Sequence, residues 1–71
     1  MPTNRISILI ADDHTVTRTG IRALLFQAED LEIIGEAKNG FEVQELVPKL
    51  RPQILLLDLK MPRPHPAEIE E

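Results

Sequence analysis

Asp12 and Asp13 follow directly on the apolar run ISILIA at 6–11, and Asp58 closes the run ILLL at 54–57. Carboxylates at such places are the residue type from which a cation site is built. In an open parallel sheet, ligands collect beyond the carboxyl ends of the strands, and neighbouring strands lie about 4.8 Å apart. If 6–11 and 54–57 are neighbours, three carboxylates converge on one point. Anions at that spacing raise one another's pKa and oppose folding until a cation joins them. A hard divalent ion with oxygen ligands meets that need, and Mg²⁺ does so while keeping several of its waters. Taken singly, each aspartate has an ordinary explanation, since Asp suits turns and helix caps. Their shared placement at strand ends is what points to a site. His14 offers nitrogen where Mg²⁺ takes oxygen and reads as a polar loop residue. His65, set among prolines, reads as an exposed loop residue.

Five elements have to position these groups. Residues 6–11 form a nearly continuous β-branched run, the pattern of a parallel strand buried on both faces. From Thr15 to about Ala28, Val16, Ile21, Leu24, Leu25 and Ala28 recur near helical spacing, with Arg18 and Arg22 assigned to the other face. Thr15 is the expected N-cap. Gly20 inside this helix costs roughly 1 kcal/mol relative to alanine, which suggests close approach of helix to sheet. LEIIGEA, at 31–37, reads as a second strand, and Glu32 and Glu36 place it at an edge. Asn39 is the expected cap of a second helix, with Glu42 three residues on in a capping-box arrangement and Val43, Leu46, Val47 and Leu50 as its apolar stripe. Pro48 predicts a kink or an early end near Val47. Arg51 and Pro52 turn the chain into a third strand over 53–58. Strand, helix, strand, helix, strand with short connections implies parallel pairing through right-handed crossovers, an α/β fold.

Composition narrows the function. The chain has 71 residues, no cysteine, no tryptophan or tyrosine and two phenylalanines, so residues 1–71 make at most one small domain with little core material. A formal net charge of −4 and the lack of any basic stripe argue against nonspecific nucleic-acid binding. The N-terminal apolar run is far too short to span a membrane, so a cytoplasmic protein is expected. No Walker loop is present, and Gly20, Gly35 and Gly40 are too scattered to cradle a dinucleotide.

With these residues in place, ILIADDHTVTRTGIRALL, IIGEAKNG and RPQILLLDLKMP resemble the opening of a response-regulator receiver domain of two-component signalling. The nearest likeness is to receivers that precede a LuxR-type helix-turn-helix, and it extends from about Ile6 to Glu68. The resemblance implies a flavodoxin-like (CheY-like) doubly wound parallel sheet, here only its β-α-β-α-β part, with strand order 2-1-3. It implies that Asp58 accepts a phosphoryl group from a sensor histidine kinase. It also implies that Mg²⁺ is held by Asp13 and Asp58, by Asp12 in support, and by the main-chain carbonyl of Lys60. DNA would be reached only through a C-terminal output domain, which is absent from these residues.

The family pattern runs on through two further strands and three helices, so 1–71 is expected to be an incomplete receiver. The hydroxyl residue and the lysine that contact the phosphoryl group in the family have no counterpart here. The Lys60 side chain matches a loop position and reads as solvated. Arg63, Pro64, His65 and Pro66 replace a glycine-containing turn, and PAEIEE at 66–71 reads as the first turn of another helix. Two rivals stand beside the receiver. One is a non-switching module that pairs through the open edge of its third strand. The other is a phosphohydrolase of the haloacid dehalogenase type, which needs a second aspartate where Lys60 stands. The expectation is a regulator and not an enzyme.

Overall fold

The computed structural model describes residues 4–61; His65 and the expected helical turn at 66–71 lie outside them. The elements are β1 (Ile6–Ala11), α1 (Thr15–Phe26), β2 (Leu31–Ala37), α2 (Gly40–Leu50) and β3 (Ile54–Leu57). They build a parallel three-stranded sheet, as the alternation of strands and helices implies, in the order β2-β1-β3 that the receiver resemblance implies.

The central strand forms the core. Ile8, Leu9, Ile10 and Ala11 are at most 3% exposed, which explains why β1 is apolar without alternation: each of its faces is covered. Burying a side chain such as Leu9 or Ile10 contributes about 1.5–3 kcal/mol. On one face, Gly35 lies opposite Leu9, and a Cβ placed there would come within 2.7 Å of Leu50 Cδ1 and 3.2 Å of Leu9 Cδ1. The absent side chain is what lets α2 seat on the sheet. Ala11, Ala37 and Met61 form a buried cluster against which Val43 and Leu46 pack.

Each helix departs from expectation in an instructive way. His14, not Thr15, precedes α1 with extended backbone, and its side chain makes no cap hydrogen bond. The helix stops at Phe26, two residues short of Ala28. No atom lies within 4 Å of a Cβ built at Gly20, so that glycine serves no close packing. Val16 and Leu24 are largely exposed, while the side chain of Arg18 is only 11% exposed. The reason is that Arg18 and Arg22 both reach Glu36 on β2, so the arginines look toward the sheet and not away from it. A long side chain can bury its stem while its head finds a counter-charge, which hydrophobic periodicity does not register.

Asn39 caps α2 as expected, its Oδ1 accepting from the Glu42 N–H at 2.8 Å, while Glu42 Oε1 accepts from the Lys38 N–H at 2.7 Å. Pro48 does not end the helix, which continues to Leu50. The proline removes a single donor in the last turn, opposite the exposed residue Gln44, where water can replace it. Arg51 then closes α2 in the left-handed region, φ 50°, its N–H donating to the Val47 carbonyl. β3 is four residues long and exposed throughout, from 38% at Ile54 to 42% at Leu57, because among the described residues nothing pairs with its outer edge. No described helix is long and apolar enough to cross a membrane.

Candidate functional site

The register at the ends of the strands brings the acidic residues together. Ala11 is level with Ala37 on one side and with Leu57 on the other. One residue further on, the Asp12 N–H donates to the Ala37 carbonyl at 3.0 Å and the Asp58 N–H to the Ala11 carbonyl at 2.9 Å. Three strand ends are therefore laced into one platform. Asp12 and Asp58 leave it at the same height, and Asp13 follows on the loop into α1.

One ligand atom from each of Asp12, Asp13, His14 and Asp58 lies within 4.8 Å of the others. The acidic trio read from the sequence is thus a trio in space. Asp12 is buried at 7% exposure, Asp58 is half-buried, and Asp13 opens toward solvent. His14 joins them: its Nδ1 lies 2.9 Å from Asp13 Oδ1 and 3.1 Å from Asp12 Oδ1, and its N–H donates to Asp12 Oδ1 at 2.8 Å. That backbone donation is the main reason the Asp12 carboxyl is held below its ordinary value; burial pushes it up, and the His14 ring and Arg18 pull it down again. Asp12 is therefore kept as an anion at the bottom of the site.

Asp58 is oriented by its own loop. Its Oδ1 accepts the Lys60 N–H at 3.0 Å, and its carbonyl accepts the Met61 N–H at 3.3 Å. Met61, buried at 2%, anchors this turn in the core. Sequence reasoning did not single out Met61, and a methionine beside prolines carries no periodicity that could mark it. The Lys60 side chain belongs to an exposed residue, as expected. An open groove of about 360 Å³ runs beside the carboxylates, lined by Ile10, Ala11, Ile21, Leu56 and Leu57 with Asp12 and Asp58. Hard oxygen donors on rigid strand ends fit a small divalent cation, and Asp12, Asp13 and Asp58 are the side chains able to hold it.

The model of the response regulator receiver domain family matches residues 8–68. The nitrate/nitrite response regulator protein NarL of Escherichia coli K12 is 46% identical over 56 residues, 79% of this chain and 26% of that protein. A protein-glutamate methylesterase/protein-glutamine glutaminase of Methanococcoides burtonii is 44% identical over 57 residues, 80% of this chain and 16% of that protein. Among solved structures, RcsB of Salmonella enterica serovar Typhimurium, bound to promoter rprA in the presence of the phosphomimetic BeF₃⁻, superposes with a TM-score of 0.80 at 37% identity, covering 84% of this chain and 30% of that one. The chain thus spans at most about a quarter of the length of these curated relatives.

Proposed function

From a chain that belongs to the response regulator receiver domain family, we propose a phosphoacceptor module in which Asp58 takes a phosphoryl group from a sensor histidine kinase. The observation that carries this reading is the convergence of Asp12, Asp13 and Asp58 at the carboxyl ends of β1 and β3, beside an open groove. A carboxylate oxygen of Asp58 attacks phosphorus in line with the leaving imidazole nitrogen. The P–O bond forms as the P–N bond breaks, and the electron pair of the broken bond returns to the ring of the donor. Mg²⁺, when bound, supplies charge neutralisation for the phosphoryl oxygens. Asp12, Asp13 and the main-chain carbonyl of Lys60 are assigned to hold it together with Asp58. The strand backbone fixes the Asp58 nucleophile, and the Lys60 N–H restricts its rotation.

In the intact protein this event would control a DNA-binding, LuxR-type output and hence transcription, in the cytoplasm. The motifs quoted above and the names of NarL and RcsB support that output. The methylesterase relative bears an enzyme name, so receiver-like sequence also occurs in a protein named for catalysis. Intact-mass measurement of the full-length protein after incubation with a small acyl phosphate tests the proposal; residues 1–71 alone should gain little or no mass. Mass gain in the wild type and none in Asp58→Asn is expected; equal gain in both overturns the assignment.

A second reading applies to residues 1–71 taken alone and rests on β3, whose outer edge is exposed along Ile54 to Leu57. It is that of a pairing module, in which a second copy covers the edge.

A further inference from the structure

We propose that Arg18 is a positioning residue for the acidic site, acting on the backbone of Asp12 and not on any ligand. The inference rests on the metal-binding reading above and adds a residue to it. Asp12 is buried, so both polar groups of its peptide backbone need partners. The N–H has one in the Ala37 carbonyl of β2. The carbonyl lies past the last rung of the β1 ladder, and Arg18 Nη1 donates to it at 2.6 Å. Two hydrogen bonds from different elements thus clamp the one residue that joins β1 to the loop carrying Asp13 and His14.

The guanidinium can do this because it is itself held. Arg18 Nε donates to Glu36 Oε1 at 3.1 Å, and Nη2 lies 3.4 Å from Thr15 Oγ1. Its planar fork spans a carbonyl on one side and a carboxylate on the other, which a lysine cannot reproduce. Arg22 reaches the second oxygen of the same Glu36 but makes no contact with Asp12 among the described hydrogen bonds. One arginine therefore links β2, α1 and the metal loop; the other links α1 to β2 alone.

That difference supplies a test whose sign is informative. Arg18 is a cation close to a cation site, so its charge by itself opposes metal binding, and neutralising it would raise Mg²⁺ affinity if charge were all that mattered. Loss of an outer partner that orients ligands instead weakens metal affinity, typically by about 10–100-fold. The experiment measures the Mg²⁺ dissociation constant of the intact protein for wild type, Arg18→Met, Arg18→Lys and Arg22→Met, with unfolding followed by circular dichroism on the same samples. The expected result is about 10-fold weaker binding in Arg18→Met. Intermediate weakening is expected in Arg18→Lys, and Arg22→Met should stay within about twofold of wild type and lose less stability, because its half-exposed side chain bonds Glu36 alone. Unchanged or tighter binding in Arg18→Met, or equal weakening in Arg22→Met, overturns the role of Arg18. A wild type that binds no Mg²⁺ overturns the metal-binding reading and the role of Arg18 with it, and is distinguished from the other outcomes by the wild-type titration alone.

Discussion

The N–H of Asp58 donates to the carbonyl of Ala11 at 2.9 Å, one residue beyond the last paired rung between β3 and β1. This hydrogen bond sets the proposed phosphoacceptor level with the acidic pair, because Asp12 is the next residue after Ala11. A slip of one residue in the β1–β3 register would turn Asp58 toward the opposite face of the sheet. The long aliphatic run before Asp58 matters for this reason: its register against β1 is what aims the carboxylate.

Metal affinity should follow the geometry of the trio. Asp13→Ala removes the most open of the three carboxylates without touching the Asp12 hydrogen bonds to Ala37 and His14. Mg²⁺ binding by the intact protein, measured by calorimetry, should weaken by at least about 10-fold. Affinity equal to wild type would remove Asp13 from the site.

Removal of metal should abolish transfer and spare the fold. With a chelator present, Asp58 should take no phosphoryl group from an acyl phosphate, since nothing then offsets the crowding of anions at the strand ends. Circular dichroism should be unchanged, because burial of the apolar residues of β1 outweighs the repulsion among the three carboxylates. Undiminished labelling in chelator would refute the metal requirement.

The close packing that the sequence suggests at Gly20 falls instead on Gly35. Gly20 lies mid-helix with open space around it, so Gly20→Ala should stabilise by about 0.5–1 kcal/mol through helix propensity alone. Gly35 faces Leu50 and the fully buried Leu9, so Gly35→Val should destabilise by about 1–3 kcal/mol. Urea unfolding of the two variants checks both, and a destabilised Gly20→Ala would contradict the packing described.

These glycines also mark what can be read from the chain and what cannot. The strands, the helix order and the Asn39 cap follow from local patterns, apolar runs and turn chemistry, whereas the convergence of Asp12, Asp13 and Asp58 needs β1 and β3 to be neighbours, which the receiver resemblance implies. The places where Gly20, Arg18 and Met61 sit depend on which element lies opposite, and no spacing along the chain encodes that. Arg18 reads as part of a solvated face because its partner, Glu36, is 18 residues away on β2. His14 reads from the sequence as a polar loop residue, and its side chain is 68% exposed, yet its Nδ1 lies within 3.1 Å of both Asp12 Oδ1 and Asp13 Oδ1, a contact that no spacing encodes.

The last prediction concerns the open edge of β3 in residues 1–71 by themselves. Ile54, Leu55, Leu56 and Leu57 carry no charge, each is more than a third exposed, and the outer row of backbone donors and acceptors has no partner strand among the described residues. Such an edge is a template for another strand, and a closed twofold pairing is the commonest way to cover it. Sedimentation of the 71-residue chain should therefore show association that grows with concentration, whereas a folded monomer at every concentration would defeat the proposal. Leu56→Lys tests whether β3 is the contact. Leu56 pairs with Ile10 and lines the groove beside Asp58, so a charge there is set against a fully buried neighbour while also repelling its copy across the twofold. One substitution should then weaken association and folding together. Association that survives it with folding intact would mean that another surface, and not β3, is the contact.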